Sequence, residues 1–362
     1  MKLLFPINID KWRSPIAAVL RACVEHNPNI DFVTFSKPET PEDLIHGEKF
    51  WNLPNVIKGN CFSLFFHRFD IVHIASHTNR NLVAGTLAKI FSLGATKFLY
   101  TINLELPSSA KNTFIYRWFN AVVDYYVSVS KAASTLVLQD APDSYLGTIP
   151  NGFDVDFFDP FSEGSGELPD AIKALNGSPY ILNVAALEPR KHPEWIVKLA
   201  ERNPEMTFVM AGWIVPRLGE EFHQQIMACS LPNLIWLGHV NRDTICTLLR
   251  HASVFAFPSD REGLPLSVIE AMGMGLPVIA QPKSSLPELI VDGINGRLID
   301  IDHDDSCEQW SRSLEGYLNL SHDEIAEIKS RLRAYAVSKY SWESIGKAYG
   351  KLYHSLASRA SV

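Results

Sequence analysis

Short runs of successive apolar residues, bounded by Gly, Pro or polar positions, alternate along this chain with longer stretches of helical period. Residues 3–7, 30–35, 71–75, 97–102, 125–129 and 147–149 form a first set of such runs. Runs this short and continuous predict strands buried on both faces, as in a parallel sheet covered by helices on either side. The helical stretches between them include residues 15–26, which Ser14 is placed to cap, 82–93 and 111–123. Residues 36–60, rich in Pro and polar side chains, predict a loop with a short helix. The rhythm breaks over 151–177, where Asp, Gly, Ser and Pro accumulate as in a linker or hinge. It then resumes, with strands predicted at 180–185, 206–211, 234–237, 254–257, 277–280 and 296–299. Residues 323–356 form a long helical region interrupted at Tyr340 and Ser341, and Ser341 is placed to cap the last helix. Alternation of this kind, twice over, predicts two doubly wound, Rossmann-like α/β domains facing each other across a cleft. The expected division is 1–160 and 161–343, with the last helix, about 344–362, packing back on the first domain.

The stretch from Phe257 to Ala280 organises the second domain. The apolar run 254–257 is stopped by Pro258, which cannot donate within a sheet, so the chain leaves the strand at Ser259. Pro265 is tolerated in a first helical turn, Leu266, Ile269 and Ala271 give an apolar face, and Gly273 and Gly275 end the helix before Pro277. Glu262 thus precedes a short helix and Glu270 lies on its second turn. The unpaired N–H groups of a helix N-terminus attract anions, phosphate above all. Carboxylates beside such a site make sense when they face hydroxyls, because an ionised carboxylate only accepts hydrogen bonds and can take both protons of a diol. A phosphate held on amides, with a diol on either side, describes a nucleotide sugar. Without that context the two glutamates would read as solvated surface residues.

Composition narrows the classes. A chain of 362 residues exceeds one ordinary core, which agrees with two domains. A formal net charge of -7 supplies no excess of cation to displace counterions, which argues against nucleic acid as a partner. Cys23, Cys61, Cys229, Cys246 and Cys307 are odd in number and show no Cys-x-x-Cys spacing, so reduced thiols in a cytoplasmic setting are expected over a disulfide framework or a zinc site. Residues 1–10 are too short an apolar run for a signal sequence and read as a first strand. No window holds the roughly twenty apolar residues that a membrane span needs.

The spacing Glu262-Gly-Leu-Pro-Leu-Ser-Val-Ile-Glu270, continued by Ala-Met-Gly-Met-Gly-Leu-Pro-Val-Ile-Ala, resembles the signature of retaining GT-B glycosyltransferases, in particular the large family 4 (glycosyl transferases group 1). Three further stretches are similar to that family in the expected order: Ile149-Pro-Asn-Gly-Phe-Asp154, Leu187-Glu-Pro-Arg-Lys191 and Leu286-Pro-Glu-Leu-Ile-Val-Asp-Gly-Ile-Asn-Gly296. Ser341-Trp-Glu343 is similar too. The likeness covers most of the second domain and only little of the first.

The resemblance implies a retaining glycosyltransferase that moves a hexose-like sugar from a nucleoside-diphosphate sugar to a hydroxyl acceptor, with no cofactor or metal. Glu270 would bind the ribose hydroxyls and Glu262 those of the donor sugar. Amides around Gly263, Leu264, Leu266 and Ser267 would hold the diphosphate, and Arg190 and Lys191 would neutralise it as it departs. Fixed cations and amides favour such a step because negative charge grows on the leaving phosphate. The course it implies is a front-face displacement in which that phosphate accepts the acceptor's proton. The first domain would bind the acceptor, a carbohydrate or glycolipid of cell-surface polysaccharide or glycolipid synthesis, with Trp12, Arg13, His77, Asn103 and Glu105 as candidates. The expected place is the cytoplasm, with room for peripheral contact at the inner face of the membrane. The basic aromatic stretch of Lys111, Phe114, Ile115, Arg117, Trp118 and Phe119 is the segment suited to such contact, though such a stripe is more often a core face.

The chain also departs from the family pattern. Ala186 stands where much of the family has an Arg five residues before the lysine, which leaves Arg190 to compensate. Pro265 lacks an N–H, so one amide of the phosphate cradle is expected to be missing. The first strand is followed by Asn8, Ile9, Asp10, Lys11, Trp12 and Arg13 in place of a Gly-rich loop, and Asn103 replaces a His commonly found near the donor sugar. These departures keep two alternatives in view: a catalytically inactive GT-B subunit that binds sugar nucleotide or a partner, and an epimerase or hydrolase of the same fold. His73 and His77 are four apart but lie at a strand end, where that spacing does not converge on a metal, and Asp154-Val-Asp156 reads as a turn at the hinge. Gly273-Met-Gly275 follows a helix instead of opening one, which disfavours dinucleotide binding.

Overall fold

The computed structural model describes residues 1–8, 15–35, 53–59, 68–75, 79–104, 113–162 and 166–358. The chain divides into two compact units, Met1–Gly152 with Trp342–Val362, and Phe153–Ser341.

In the first unit, β1 (Lys2–Asn8), β2 (Asp31–Phe35), β3 (Val56–Gly59), β4 (Ile71–Ile74), β5 (Lys97–Ile102), β6 (Tyr125–Ser128) and β7 (Tyr145–Thr148) form a seven-stranded parallel sheet in the order β3-β2-β1-β4-β5-β6-β7. The strand β3 corrects the expectation of a loop and short helix through residue 60. Val56-Ile57-Lys58-Gly59 is short and has polar neighbours, but it pairs along β2 as an edge strand, where only one ladder must be satisfied. Leu3, Phe5, Ile71, Leu99 and Val127 of the sheet meet Ala17, Leu20, Cys23 and Val24 of the helix Pro15–Glu25 in one buried core.

The helix Trp342–Ser358 completes that core with Ile345, Tyr349, Tyr353 and Leu356. Two glycines allow its close approach: a Cβ on Gly346 would lie 2.2 Å from the Ala22 carbonyl oxygen, and one on Gly350 would lie 1.7 Å from Asn27 Oδ1. A buried polar chain adds direction to the packing. His73 Nδ1 lies 2.7 Å from the Tyr353 hydroxyl and Nε2 lies 2.7 Å from Thr101 Oγ1, and Thr101 Oγ1 is 3.2 Å from the Tyr349 hydroxyl. Both ring nitrogens are therefore engaged, and His73 is a structural residue.

Burial lowers the His73 pKa to about 3. Its ring thus stays neutral in the folded state at pH values where the unfolded chain, near pH 6.5, takes up a proton. Stability should be fully present above about pH 6.5 and should fall by about 1.4 kcal/mol per pH unit toward pH 3 from this group alone. Denaturant titrations between pH 4 and 8 should show that slope in the wild type and lose it in His73→Gln. An unchanged slope in the variant would remove His73 as its source.

The second unit repeats the arrangement. Its strands are β8 (Tyr180–Val184), β9 (Thr207–Ala211), β10 (Leu234–Trp236), β11 (Val254–Phe257), β12 (Val278–Ala280) and β13 (Gly296–Leu298), all parallel, in the order β10-β9-β8-β11-β12-β13. Their apolar faces meet helices carrying Trp195, Ile196, Leu199 and Trp310. The two tryptophans pack edge to face at 6.3 Å, and Trp310 Nε1 donates to the Ile299 carbonyl at 3.2 Å. Residues 153–160 belong to this second unit, with Phe153 and Phe158 buried in it.

Strand order reverses between the adjacent strands β8 and β11: the chain proceeds outward from β8 to one side and returns to begin the other at β11. Connections leaving the two strands diverge there and open a crevice at the carboxyl ends, the usual ligand position in open α/β sheets. Among the described residues no helix is long and apolar enough to cross a membrane. Cys23, Cys229, Cys246 and Cys307 are free thiols, and Cys61 lies outside the described residues.

Candidate active site

Two loops meet at that crevice. The first leaves β8 and tightens into a single 3-10 turn, Pro189–Lys191, which places Arg190 and Lys191 side by side. His192 follows in the left-handed region at φ 48 and turns the chain into the helix Pro193–Arg202. The second loop leaves β11 at Pro258. The Asp260 N–H donates to the Arg190 carbonyl at 3.0 Å, so the backbones stay joined beyond the sheet.

The side chains converge on Glu262, which is only 5% exposed. Lys191 Nζ donates to Oε1 in a short contact, Ser259 Oγ donates to the same oxygen at 2.5 Å, and Arg190 Nη1 donates to Oε2 at 3.2 Å. Arg190 also spans to Glu188 Oε1 at 2.6 Å and donates to the Arg261 carbonyl at 2.8 Å. Two cations thus face two carboxylates, and the cluster is close to neutral. Burial pulls the Lys191 ammonium below its ordinary pKa, and Glu262 opposes that shift. A carboxylate has about four acceptor positions, so the three donors among the described residues leave Glu262 with one open on Oε2.

The helix Leu266–Gly273 begins past this cluster, with Pro265 as its N-cap at φ -72 and ψ 121. Pro265 thus stands just before the first turn: of the four main-chain donors at a helix start the N-cap one is absent, and those of Leu266, Ser267 and Val268 remain. The other end is closely packed. A Cβ on Gly273 would stand 2.4 Å from the Phe153 ring, Arg333 donates to the Gly273 carbonyl at 3.0 Å, and Gly275 leaves the helix at φ 75.

Glu270 contrasts with Glu262. It is part-buried on the second helical turn and has no side-chain hydrogen bond among the described residues. Loss of water pushes its pKa up to about 7, with Arg242 pulling down and Asp154 adding to the rise. Asp154 Oδ2 lies 3.5 Å from Arg242 Nη1, and Asp154 Oδ1 accepts the Phe157 N–H at 3.1 Å, so Asp154 serves the turn as its sequence position suggests. The Arg242 guanidinium stacks 4.1 Å from the Phe157 ring centre. One glutamate is therefore committed to protein cations, while the other has no side-chain hydrogen bond among the described residues and a pKa of about 7.

Of the residues singled out from the sequence, Arg190, Lys191 and Glu262 are in direct contact. Gly263 and Leu264 are buried between Glu262 and the helix that begins with Leu266 and Ser267. Asn103 lies in the first unit, where its Nδ2 donates to the Ala75 carbonyl at 2.7 Å and the Thr101 carbonyl at 3.3 Å. Its amide nitrogen is thus engaged by main-chain carbonyls. Trp12, Arg13, His77 and Glu105 lie outside the described residues, as does Lys111. Phe114 opens the helix Phe114–Val122 at 78% exposure, with Trp118 at 6.1 Å. Glu188, Ser259 and Ser284 escaped the sequence reading. Ser259 and Ser284 lie in loops without periodicity, and their partners are set by which strands are neighbours.

Residues 166–336 match the family model for glycosyl transferases group 1. A UDP-Gal:alpha-D-GlcNAc-diphosphoundecaprenol alpha-1,3-galactosyltransferase of Escherichia coli is 24% identical over 286 residues, 73% of this chain and 69% of that protein. A D-inositol 3-phosphate glycosyltransferase of Mycobacterium bovis is 26% identical over 228 residues, 59% of this chain, and the match spans only 44% of that relative's length. Among solved structures, Anabaena HepE in complex with UDP and glucose has a TM-score of 0.73 at 18% identity, covering 98% of this chain and 100% of that one. The catalytic domain of Starch Synthase IV from Arabidopsis thaliana, bound to ADP and acarbose, also has a TM-score of 0.73, at 14% identity and 99% coverage of both chains. These likenesses make the fold GT-B, with two parallel-sheet α/β units. Residues 166–336, which hold the paired cations and both glutamates, are the part of the chain that is similar to the glycosyl transferases group 1 family.

Proposed function

We propose that this protein is a retaining, metal-independent glycosyltransferase that moves a sugar from a nucleoside-diphosphate sugar to a hydroxyl of a carbohydrate or glycolipid. The observation that carries the reading is the convergence of Arg190 and Lys191 on Glu262 where β8 and β11 part, beside a helix whose second turn bears Glu270. Each part matches a part of the donor. The first-turn amides and the two cations suit a diphosphate. Glu270 suits the ribose diol, and the open position on Glu262 suits a sugar hydroxyl.

A near-neutral cluster suits a donor that binds by exchange. Its diphosphate competes with Glu188 for Arg190, so the guanidinium exchanges one anion for another and no bare charge is exposed. In the reaction the bond from the anomeric carbon to phosphate oxygen breaks and the acceptor oxygen bonds to the same face. The acceptor's proton passes to the leaving phosphate. Arg190 and Lys191 stabilise charge that grows as that bond breaks, so they act on the transition state more than on the bound donor.

The named relatives act on diphosphoundecaprenol-linked GlcNAc and on inositol phosphate. They support an acceptor of the glycan or glycolipid class and a role in cell-surface polysaccharide or glycolipid synthesis. Work in the cytoplasm with contact at the inner face of the membrane fits that class.

A panel of UDP-, GDP-, ADP- and dTDP-sugars tests the reading. One donor should raise the melting temperature, since a ligand that binds only the folded state stabilises it by mass action. With an acceptor present, NMR should show the donor's anomeric configuration kept in the product, and turnover should survive EDTA. Release of free or epimerised sugar without an acceptor would make the protein a hydrolase or epimerase. A thermal shift without turnover on any acceptor would make it a binding subunit.

A further inference from the structure

Glu262 is held by its backbone as firmly as by its carboxylate. The hydroxyl of Ser284 donates to the Glu262 carbonyl at 2.7 Å and accepts the Glu262 N–H at 3.1 Å. One side chain therefore closes on both polar backbone groups of one residue. Ser284 stands in the loop that follows β12, the neighbour of β11, so the clamp ties two successive exits from the sheet. It does so from the left-handed region, at φ 54. Glycine adopts that region freely and a serine is strained in it. Strain retained beside a reactive cluster calls for a use of the hydroxyl.

That use follows from what hangs on Glu262. Its carboxylate receives Lys191, Arg190 and Ser259, and its backbone fixes where the carboxylate starts. Without Ser284 the N–H and C=O would turn to water or to other partners, and the loop 258–265 would gain freedom next to the helix N-terminus. Both cations would then follow the displaced carboxylate away from the position a leaving phosphate needs.

We propose that Ser284 is a positioning residue for sugar transfer: its hydroxyl, offered from a left-handed turn after β12, locks the backbone of Glu262 so that Lys191 and Arg190 are held together for the departing phosphate. The inference rests on the reading of that cluster as the donor site.

Two variants separate positioning from folding. Ser284→Gly removes the hydroxyl and relieves the strain, so its melting temperature should match or exceed the wild type. Ser284→Ala removes the hydroxyl and keeps the strain, so its melting temperature should be at or below it. Despite opposite stabilities, both should lose kcat by about tenfold to a hundredfold, as expected when catalytic groups drift by a fraction of an ångström to about one. The donor KM should change by less than about threefold, because the first-turn amides and Glu270 are untouched. Hydrogen exchange at the Glu262 amide should quicken in both variants and stay unchanged at Leu182 in β8. A purely structural serine would instead make activity track stability, with Ser284→Gly fully active. An active wild type with a fully active Ser284→Gly, or an unchanged Glu262 amide in both variants, overturns the inference alone. A wild type that transfers no sugar from any donor overturns the reading of the site, and the role of Ser284 with it.

Discussion

Replacing Lys191 with methionine should lower kcat for sugar transfer by about a hundredfold to a thousandfold, the range for removing one preorganised group that meets developing charge. Methionine keeps most of the apolar stem, so the loss should come from the charge and not from a cavity. The donor KM should move far less if Lys191 meets charge that grows only as the phosphate leaves. A second effect has to be separated. Lys191 is one of three donors to a carboxylate that is 5% exposed, and removing one partner of a buried pair costs about 3–5 kcal/mol. Part of that cost should be met here by Arg190 and Ser259. Lys191→Met should therefore also melt earlier, and the double variant Lys191→Met with Glu262→Gln should regain stability but not kcat. Steady-state kinetics alongside thermal melts would show the split. A Lys191→Met enzyme within threefold of the wild-type kcat would remove Lys191 from the reaction.

Glu270→Ala should weaken donor binding by about a hundredfold or more, since two charge-assisted hydrogen bonds to a diol contribute about 1.5–3 kcal/mol each. Its titration makes the effect depend on pH. With a pKa of about 7, half the free protein carries a neutral Glu270 at neutral pH. The diol donates to the ionised form, so the bound state favours the carboxylate. Affinity should be level above about pH 8 and should fall toward tenfold per pH unit below pH 6, with close to one proton released on binding at low pH. Calorimetry in two buffers of different ionisation enthalpy would count that proton. Glu270→Gln should flatten the profile. The same shift acts on folding with a definite sign: a carboxyl with a raised folded pKa stabilises the protein most below its unfolded value, and that stability is lost as pH rises through about 7. Glu270→Gln should accordingly melt later than wild type at pH 8 and no later at pH 4. A pH-independent affinity in the wild type would mean that Glu270 does not hold the diol.

The sheets were legible in the sequence because central parallel strands are buried on both faces. Val254-Phe-Ala-Phe257 and Ile71-Val-His-Ile74 stand out as unbroken apolar runs even with a histidine inside one of them. Val56–Gly59 did not stand out, because an edge strand of four residues with a lysine leaves no such run. The glutamates were legible from their spacing about one short helix. Their different conditions were not. Glu262 meets Lys191 across 71 positions of sequence, and only the adjacency of β8 and β11 creates that contact. The rise in the Glu270 pKa depends on lost water and on Arg242 and Asp154, which come from separate elements. Ser284 carries no sequence mark of its role: its importance is a matter of one torsion angle and two backbone partners.

The return of Trp342–Ser358 to the first unit has a consequence for how such proteins can be recombined. The chain passes between its units twice, and the passages are stitched together where the Phe153 N–H donates to the Tyr340 carbonyl at 2.8 Å. A gene cut once, after residue 152, would yield a front half deprived of Tyr349 and Tyr353, with His73 and Thr101 stranded in an apolar interior. A chimaera that takes its second unit from a related chain must therefore be spliced at two places, keeping head and tail from the same parent.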